Sequence, residues 1–313
     1  MMKIPACVLL ALSLVGCATQ ATKLSEPQLL RVPYHSIRTN ADRDYFVYLP
    51  RGFAQQDKWP VILFLHGNGE RGDGKADLDY LLAHGPLMEA WCQKRDLPFV
   101  IVAPQMPMDD QGEVFYIKNR SLSEIPKRVE RGANPYYAHH AHKEAMQGQL
   151  SEQFTAEMDN YVTSTRGWNT MDAEVMAMLD RVVADHRGDP SRIYLTGLSL
   201  GGIGTWDLAS RHPERFAAIA PISFPGPVRM APALAGAKMP VWAFAGGRDP
   251  YMKYCYPMMN RLEELGDADV RFTIEADMGH EAWIRAYAGD DLYTWFLAHS
   301  KASPAVGVPA TGP

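Results

Sequence analysis

One serine near the middle of the chain is surrounded by glycines. The stretch 196–202 reads T-G-L-S-L-G-G, and its residues 197–201 fit the pattern G-x-S-x-G. A strand pattern over 191–197 precedes Ser199 and a helical pattern over 200–212 follows it, which places the serine in a sharp strand-to-helix turn. Glycines clear the space that such a turn needs, and the turn exposes the serine Oγ at the carboxyl edge of a sheet. A plain helix cap is the other use of a serine there, so the choice depends on the rest of the chain.

The chain also supplies an acid and a histidine in suitable places. A serine hydroxyl becomes a useful nucleophile when a base accepts its proton, and that base is commonly a histidine oriented by an acid. Asp249 lies in A-G-G-R-D-P and His280 in D-M-G-H-E-A-W, each just after a strand pattern. The order serine, acid, histidine is one of those known for such triads. We therefore predict a catalytic triad of Ser199, His280 and Asp249.

These residue types also have common structural uses. An aspartate before proline often only forms a turn, and a histidine after glycine often only caps a helix. As the acid, Asp267 and Asp269 are weaker candidates because they precede the last strand pattern, at its wrong end. Asp277 would have to fold back toward His280. The triad is favoured because Ser199, Asp249 and His280 occur in the expected order and each follows a strand pattern.

Hydrolysis at this serine requires donors for the negative charge that develops on the substrate oxygen. The first predicted donor is the backbone N–H of Leu200, the residue after the nucleophile. The second should come from the loop after the strand pattern that ends in His66, which reads H-G-N-G-E-R-G. We favour the N–H of Asn68, with that of Gly69 as the alternative, and expect the His66 side chain to brace the loop.

These residues need a sheet that brings strand ends together. From residue 29 onward, apolar β-rich runs alternate with helical periodicity, which is typical of an α/β protein with a mainly parallel sheet covered on both faces. The opening stretch reads as a hairpin with a turn at Thr39-Asn40. The predicted strands that follow cover 60–66, 98–104, 191–197, 216–223, 240–246 and 270–276. The predicted helices cover 77–95, 169–187 with Asn169 as cap, 200–212, 252–265 and a last helix ending near 299. Gly85-Pro86 must interrupt or bend the first of these helices.

One segment, 105–168, is far longer than a usual connection between a strand and its crossover helix, and we call it the insertion. We predict that it forms a cap. Apolar residues at helical spacing (Met146, Leu150, Phe154, Met158 and Tyr161) predict a helix that lies over the active edge or merely packs on its neighbours. His139 and His142 could share a helical face, but no third ligand is nearby, so no metal is predicted. Phe154 and Trp283 are candidate contacts for an aromatic or medium-sized acyl group.

The quoted motifs together resemble those of a known superfamily. P-V-I-L-F-L-H-G-N-G-E-R-G, G-L-S-L-G-G, G-G-R-D-P and G-H-E-A-W resemble the α/β-hydrolases, in the branch of secreted esterases, polyhydroxybutyrate-depolymerase-like proteins and predicted peptidases. The resemblance covers 29–299 outside the insertion. It implies the α/β-hydrolase fold with Ser199 as nucleophile, His280 as base and Asp249 as acid. Dienelactone hydrolases are similar in outline but use a cysteine nucleophile, and the serine argues against that group.

The two ends of the chain carry other signals. Residues 1–16 combine Lys3 with a short apolar run, which is typical of an export signal, and L-V-G-C resembles a lipobox with Cys17 as the acylated residue. A plain secretory signal is the alternative. We predict a signal at 1–16, a tether at 17–28, a catalytic domain at 29–300 and a disordered tail at 301–313. The resemblance to lipoproteins, with alanine after the cysteine, implies the outer membrane of a Gram-negative bacterium.

Composition limits the function classes. Hydrophobic residues make up 47% of the chain and charged residues 21%, as in folded enzymes. Lysines and arginines number 31 against 36 acids, with no basic stripe, so nucleic acid is excluded as a partner. Cys92 and Cys255 are expected to be separate buried thiols rather than a bridge. No pattern indicates a cofactor.

The prediction is a serine carboxylic-ester hydrolase that forms an acyl-enzyme. A peptidase or amidase acting on small peptides is the first alternative, and a non-catalytic envelope lipoprotein is the second. Because a histidine base must be neutral, we expect activity to fall below about pH 6, near the ordinary pKa of an imidazole.

Overall fold

One sheet organises the protein. The computed structural model describes residues 25–129, 160, 167–266 and 269–301. Within these residues eight strands form a sheet in the spatial order β1-β2-β4-β3-β5-β6-β7-β8. The strands are β1 (Gln28–Ser36), β2 (Ala41–Leu49), β3 (Trp59–Leu65), β4 (Val100–Ala103), β5 (Gly188–Leu198), β6 (Ala218–Ile222), β7 (Val241–Gly246) and β8 (Val270–Glu275).

The sheet is mainly parallel. The strands β1 and β2 form an antiparallel hairpin, and β2 also pairs antiparallel with β4. All pairs from β4 across to β8 are parallel. The carboxyl ends of β3, β5, β6, β7 and β8 therefore meet at one edge, where the loops that follow them converge.

The central strands are buried on both faces. Every residue of β3 is buried, which explains its nearly unbroken apolar sequence. Its alternate side chains enter different cores: Val61 and Leu63 join the cluster on one face, whereas Ile62 and Phe64 join the cluster on the other. This alternation follows from the two-residue period of a strand. The predicted α/β architecture is thus confirmed.

Helices cover both faces of the sheet. The α-helices of the described residues are Gly85–Leu87, Phe115–Lys118, Asp172–Asp185, Leu200–Arg211, Ala231–Gly236, Tyr256–Glu264, Trp283–Ala288 and Asp291–Leu297. The helix Asp172–Asp185 places Val175, Leu179 and Val182 in the core, as its apolar spacing predicts. It starts after a 3-10 turn at Trp168–Met171, so the predicted cap at Asn169 is wrong.

The helix predicted over 77–95 is interrupted at Gly85-Pro86, as expected, but the parts on either side of the break are not a regular α-helix. The structure has a 3-10 helix at Ala76–Leu82, one α-helical turn at Gly85–Leu87 and a π-helix at Met88–Cys92. The break occurs at Gly85, whose φ of 84° lies in the left-handed region. A Cβ at this position would come within 2.3 Å of the Phe64 ring. The backbone must pass close to the sheet here, and a continuous helix cannot do so.

The described residues of the insertion are 105–129, 160 and 167–168. Between 105 and 129 the chain forms short turns at Gln111–Glu113, Phe115–Lys118 and Leu122–Glu124. The predicted cap helix with Phe154, and the pair His139 and His142, lie outside the described residues.

The two ends of the chain lie outside the described residues. This applies to the predicted signal at 1–16, to Cys17 and to residues 302–313. No helix in the described part of the chain is long and apolar enough to cross a membrane.

The two remaining cysteines are separate. Cys92 and Cys255 are both free and buried, and they belong to the clusters on different faces of the sheet. Burial raises the pKa of the Cys92 thiol to about 11. Both thiols therefore behave as small apolar core residues, as predicted.

Candidate active site

The turn between β5 and the helix Leu200–Arg211 holds Ser199 in an unusual backbone conformation. Its φ is 52° and its ψ is −115°, a region that residues with a side chain rarely adopt. Its N–H donates to the carbonyl oxygen of Ile222 at 2.9 Å, which fixes the turn to the end of β6. Such a conformation costs about 1–3 kcal/mol and persists because the surrounding structure enforces it.

Glycines make this turn sterically possible. A Cβ at Gly201 would lie 1.9 Å from the carbonyl oxygen of Leu65, and one at Gly197 would lie 2.3 Å from the carbonyl oxygen of Gly201. Both contacts are with backbone, which cannot swing away as a side chain can. The G-x-S-x-G pattern thus allows β5, β3 and the helix to approach closely enough for the turn to close.

The structure brings the three predicted catalytic side chains together. The Nε2 atom of His280 lies 2.9 Å from the Oγ of Ser199, and its Nδ1 lies 2.7 Å from Oδ2 of Asp249. An ionised carboxylate only accepts hydrogen bonds, so Nδ1 carries the proton in the neutral ring. The lone pair on Nε2 then faces the serine hydroxyl, which is the arrangement that a general base requires.

Asp249 is enclosed, whereas His280 is partly open. The Asp249 side chain is only 1% exposed and that of His280 is 36% exposed. The second oxygen of Asp249, Oδ1, accepts the backbone N–H of Tyr251 at 2.9 Å. Both carboxylate oxygens are therefore held, which fixes the position from which Asp249 orients the imidazole.

The weaker acid candidates are occupied elsewhere. Asp269 accepts from Arg271 at 2.8 Å and from the indole of Trp295 at 2.9 Å. Asp277 pairs with both terminal nitrogens of Arg285 at 2.7 and 2.9 Å, which lowers the pKa of its carboxyl to about 2. Asp267 lies outside the described residues.

The loop after β3, residues 67–71, lies beside the serine turn, and we call it the oxyanion loop. A Cβ on Gly67 would be 2.7 Å from Cδ1 of Leu198, so the two segments are in direct contact. A 3-10 turn at Asn68–Glu70 follows. On the other side the helix begins at Leu200, whose N–H belongs to the first turn and has no acceptor within the helix. The predicted donors Leu200 and Asn68, with Gly69 as the alternative, thus lie in the two segments that border Ser199.

His66 supports this loop as a neutral side chain. Its Nδ1 donates to the carbonyl oxygen of Gly67 at 2.6 Å, and its Nε2 accepts the N–H of Met106 at 2.9 Å. Complete burial lowers its pKa to about 3. The ring therefore stays uncharged and links the oxyanion loop to the start of the insertion.

Sequence reasoning did not identify the charged residues of the oxyanion loop. Arg71 is almost fully buried, and its Nε donates to Oδ1 of Asn68 at 2.6 Å while Nη1 donates to the carbonyl oxygen of Pro107 at 2.9 Å. Glu70 is buried as well, and burial raises its pKa to about 7. The sequence did contain a signal for Glu70 and Arg71, because the charged pair E-R occurs in a loop that must lie at the active edge of the sheet. Arg120, in the insertion, also contacts the loop and had no sequence signal.

Aromatic rings surround the catalytic histidine. Trp283 meets His280 edge-to-face with ring centroids 5.3 Å apart, and Tyr251 does so at 6.0 Å. Tyr251 in turn stacks on Phe224 at 5.0 Å. Trp283, predicted as a substrate contact, therefore lies next to the triad, whereas Phe154 lies outside the described residues.

No metal centre is evident in the part of the chain that the structure describes. Among those residues no group of three or more histidine, cysteine, aspartate or glutamate side chains could hold a metal ion. The chemistry available at the described site is that of the hydroxyl, the imidazole, the carboxylate and the backbone donors.

Comparison with known sequences gives a limited match. No protein-family model matches the chain. A stretch of 63 residues is 41% identical to the poly(3-hydroxyalkanoate) depolymerase C of Paucimonas lemoignei and covers 20% of this chain and 15% of the depolymerase. The match thus spans much less than two thirds of that protein.

Comparison with solved structures identifies the fold. A thermostable esterase superposes with a TM-score of 0.55 at 22% identity, covering 87% of this chain and 63% of the esterase. An S-formylglutathione hydrolase from Staphylococcus aureus gives 0.54 at 13% identity, with 87% and 97% of the two chains covered. The feruloyl esterase module from Clostridium thermocellum gives 0.52 at 15% identity, with 89% and 91% covered.

Proposed function

We propose that this chain, which has the α/β-hydrolase fold, is a serine hydrolase that cleaves carboxylic esters through an acyl-enzyme. The observation that carries the proposal is the unbroken line of hydrogen bonds from Ser199 through His280 to Asp249, with distances of 2.9 and 2.7 Å. The line ends at a serine on a strained turn between two segments whose N–H groups can donate hydrogen bonds to a substrate oxygen. The esterases and thioester hydrolase that share the fold support the proposal.

Acylation follows from this geometry. Ser199 Oγ attacks the ester carbonyl carbon while its proton moves to Nε2 of His280. The carbonyl oxygen becomes an oxyanion that the N–H groups of Leu200 and Asn68 stabilise, or Gly69 in place of Asn68. When the tetrahedral intermediate collapses, the C–O bond to the alcohol breaks and the imidazolium gives its proton to the departing oxygen. The acyl group is then bonded to Ser199.

Deacylation repeats these steps with water as the nucleophile. Water gives a proton to Nε2 of His280 and its oxygen bonds to the acyl carbon. The second tetrahedral intermediate collapses, the Ser199 Oγ leaves and recovers the proton, and the carboxylic acid is released. Asp249 stays ionised throughout and stabilises the imidazolium that forms twice in each cycle.

The first test is ester hydrolysis by the wild type and two serine variants. Wild type should hydrolyse an aryl ester such as p-nitrophenyl acetate, and Ser199→Ala should lose nearly all of that activity. Ser210→Ala is the matched control, because Ser210 lies on the same helix and donates only to the backbone oxygen of Asp207 at 2.9 Å. Equal rates for Ser199→Ala and wild type would refute the proposal.

Amide hydrolysis is the first alternative, because the same groups can attack an amide carbonyl. Measuring kcat/KM on an aryl ester and on the matched anilide separates the two activities. The proposal predicts a strong preference for the ester beyond the intrinsic difference in reactivity, as judged by hydroxide-catalysed rates. Each kcat/KM is divided by the hydroxide-catalysed rate of the same substrate. If this ratio is larger for the anilide than for the ester, the enzyme is a peptidase.

For the acyl group we propose an aromatic or medium-sized chain. The support is Trp283, whose ring packs on His280, and the Phe154 position in the insertion. A panel of esters that differ in acyl length and aromaticity, assayed with wild type and Trp283→Ala, tests this choice. The preference should weaken in the variant, and an unchanged order of kcat/KM values would exclude Trp283 as an acyl contact.

A further inference from the structure

Arg120 connects the insertion to the oxyanion loop. Its Nη1 donates to the carbonyl oxygen of Gly69 at 2.6 Å and to that of Arg71 at 2.6 Å. One guanidinium therefore holds the carbonyl groups on both sides of Glu70. These bonds join residues about fifty positions apart in the sequence, so they tie the insertion to the loop beside the nucleophile.

The Arg120 side chain is itself held in place. Its guanidinium lies 3.8 Å from the centroid of the Tyr80 ring, and Nη2 is 3.3 Å from Oδ2 of Asp77. The side chain is only 12% exposed. A planar guanidinium with ring, carboxylate and carbonyl partners loses little further freedom when it binds the loop, so its position is well defined.

The loop needs such a support at Gly69. A Cβ added there would meet only Cδ2 of Tyr116, at 3.9 Å, so the space around this glycine is open. Glycine also has the widest choice of backbone angles. The bond from Arg120 fixes the carbonyl end of the peptide between Gly69 and Glu70. Rotation there would loosen the turn that presents the N–H groups of Asn68 and Gly69.

We infer that Arg120 is a positioning residue for the oxyanion hole, which it keeps preformed by fixing the carbonyl groups of Gly69 and Arg71. This inference rests on the proposed ester hydrolysis. One side chain of the insertion would thereby set the geometry of the oxyanion donors. The contribution should appear in the transition state, where the substrate oxygen carries the charge.

A purely structural role for Arg120 would give a different result. If the side chain only fastened the insertion, its loss would change stability or substrate binding but would leave the stabilisation of the oxyanion intact. The separate changes in kcat and KM, and the binding of a trifluoromethyl ketone, distinguish the two roles. The ketone forms a tetrahedral adduct with the serine and places an oxyanion in the hole, so its affinity depends on the donors.

The test compares Arg120→Met with Arg128→Met. Arg128 is a matched control because its guanidinium also lies over an aromatic ring, 3.9 Å from the centroid of Trp91, and its Nε also donates to a backbone oxygen, that of Trp91 at 3.2 Å. Both of these contacts lie away from the oxyanion loop. Both variants keep an unbranched stem over the ring and lose the guanidinium. Melting temperatures of both variants verify folding.

For Arg120→Met we expect kcat to fall about 10- to 100-fold, less than the 10²–10³ that loss of a whole donor costs. KM should stay within about twofold, and the trifluoromethyl ketone should bind more weakly by a factor similar to the loss in kcat. Arg128→Met should keep wild-type values. An Arg120→Met enzyme with wild-type kcat, or with a change in KM alone and unaltered ketone affinity, would overturn the inference.

If Arg120→Met does not fold, Arg120→Lys decides the question. Lysine keeps the charge and the stem but is a point donor that cannot reproduce the planar fork. A kcat about tenfold below wild type with unchanged KM supports the inference, and a wild-type kcat overturns it. The wild-type enzyme in the same assay separates this result from the proposed function, since an inactive wild type would refute ester hydrolysis itself.

Discussion

At the scale of single residues, the site depends on which atom of His280 carries the proton. Asp249 can only accept, so it selects the tautomer in which Nδ1 is protonated and Nε2 faces Ser199. The sequence was sufficient to predict these three residues because each follows a strand pattern in a recognisable motif. It was insufficient for Arg71 and Arg120, because their partners include backbone oxygens of distant segments, which leave no pattern in the side chains.

The role of the acid gives a direct prediction. Asp249→Asn should reduce kcat by about 10⁴-fold, because an amide nitrogen at this position favours the wrong tautomer of the histidine. Asp277→Asn is the matched control, since Asp277 pairs with Arg285 and not with His280. Turnover on an aryl ester is the measurement. Near-normal turnover by Asp249→Asn would remove Asp249 from its role.

At the scale of elements, the strand patterns were the most accurate predictions. The predicted strand 60–66 differs by one residue at each end from Trp59–Leu65, because a run of apolar residues buried on both faces is unambiguous. The helices were less predictable where a close approach of the backbone overrides periodicity. The interruption at Gly85-Pro86 was predicted, but the 3-10 and π-helical geometry on its two sides was not. The last predicted helix is divided into Trp283–Ala288 and Asp291–Leu297.

The helix after Ser199 should not tolerate a methyl group at Gly201. A Cβ there would lie 1.9 Å from the Leu65 carbonyl oxygen, so Gly201→Ala should reduce the free energy of unfolding by about 3 kcal/mol or more. Gly236→Ala is the control, since nothing lies within 4 Å of its added Cβ and alanine favours a helix by about 0.5–1 kcal/mol. Urea denaturation measures both, and equal stabilities would contradict the packing described for the turn.

The oxyanion loop contains a carboxyl group whose burial makes stability depend on pH. Burial raises the pKa of Glu70 from 4.5 to about 7. The His66 and His84 rings lie 3.9 and 3.7 Å from its oxygens. Both have a lowered pKa, because His66 is fully buried and His84 is partly buried. Arg120 is the cation that acts against the effect of burial. Between the two pKa values of Glu70 the folded chain binds more protons than the unfolded chain, so the free energy of unfolding falls as pH rises.

Glu70→Gln removes this titration. The stability of the variant relative to wild type should increase by about 2–3 kcal/mol between about pH 5 and pH 8, with the larger advantage at high pH. Glu113→Gln, which alters an exposed carboxyl paired with Lys118, should show no such trend. Urea denaturation at both pH values gives the comparison. The variant's free energy of unfolding minus that of wild type should grow with pH. A difference that stays constant, or that becomes smaller at high pH, would contradict the burial of an ionisable Glu70.

At the scale of the whole molecule, the α/β class followed from the alternation of strand and helix patterns, and the structure confirms it. The insertion was recognised by its length alone. Its first part, 105–129, contacts the oxyanion loop through Arg120 and through Tyr116, whose hydroxyl accepts from Nδ2 of Asn68 at 2.9 Å. Such contacts could not be predicted because they depend on how an irregular segment folds back on a distant loop.

We also propose, from the sequence alone, that Cys17 carries a lipid anchor. Cys17→Ser should release the protein from the membrane fraction of Gram-negative cells, because a single hydroxyl cannot replace acyl chains that bind at about 0.8 kcal/mol per buried CH₂. Cys7→Ser, inside the proposed signal, is the control and should leave the protein in the outer-membrane fraction. Recovery of Cys17→Ser in that fraction at the wild-type level would refute the anchor.

The central claim is that the hydroxyl of Ser199 is activated by His280 in the folded protein. A fluorophosphonate probe followed by peptide mass spectrometry measures this directly, since the probe bonds to an activated serine. We predict one adduct, on Ser199, in the folded wild type, and its loss in His280→Ala and in urea-denatured protein. An unlabelled Ser199 in folded wild-type protein, or equal labelling in His280→Ala, would contradict the account and favour a non-catalytic envelope protein.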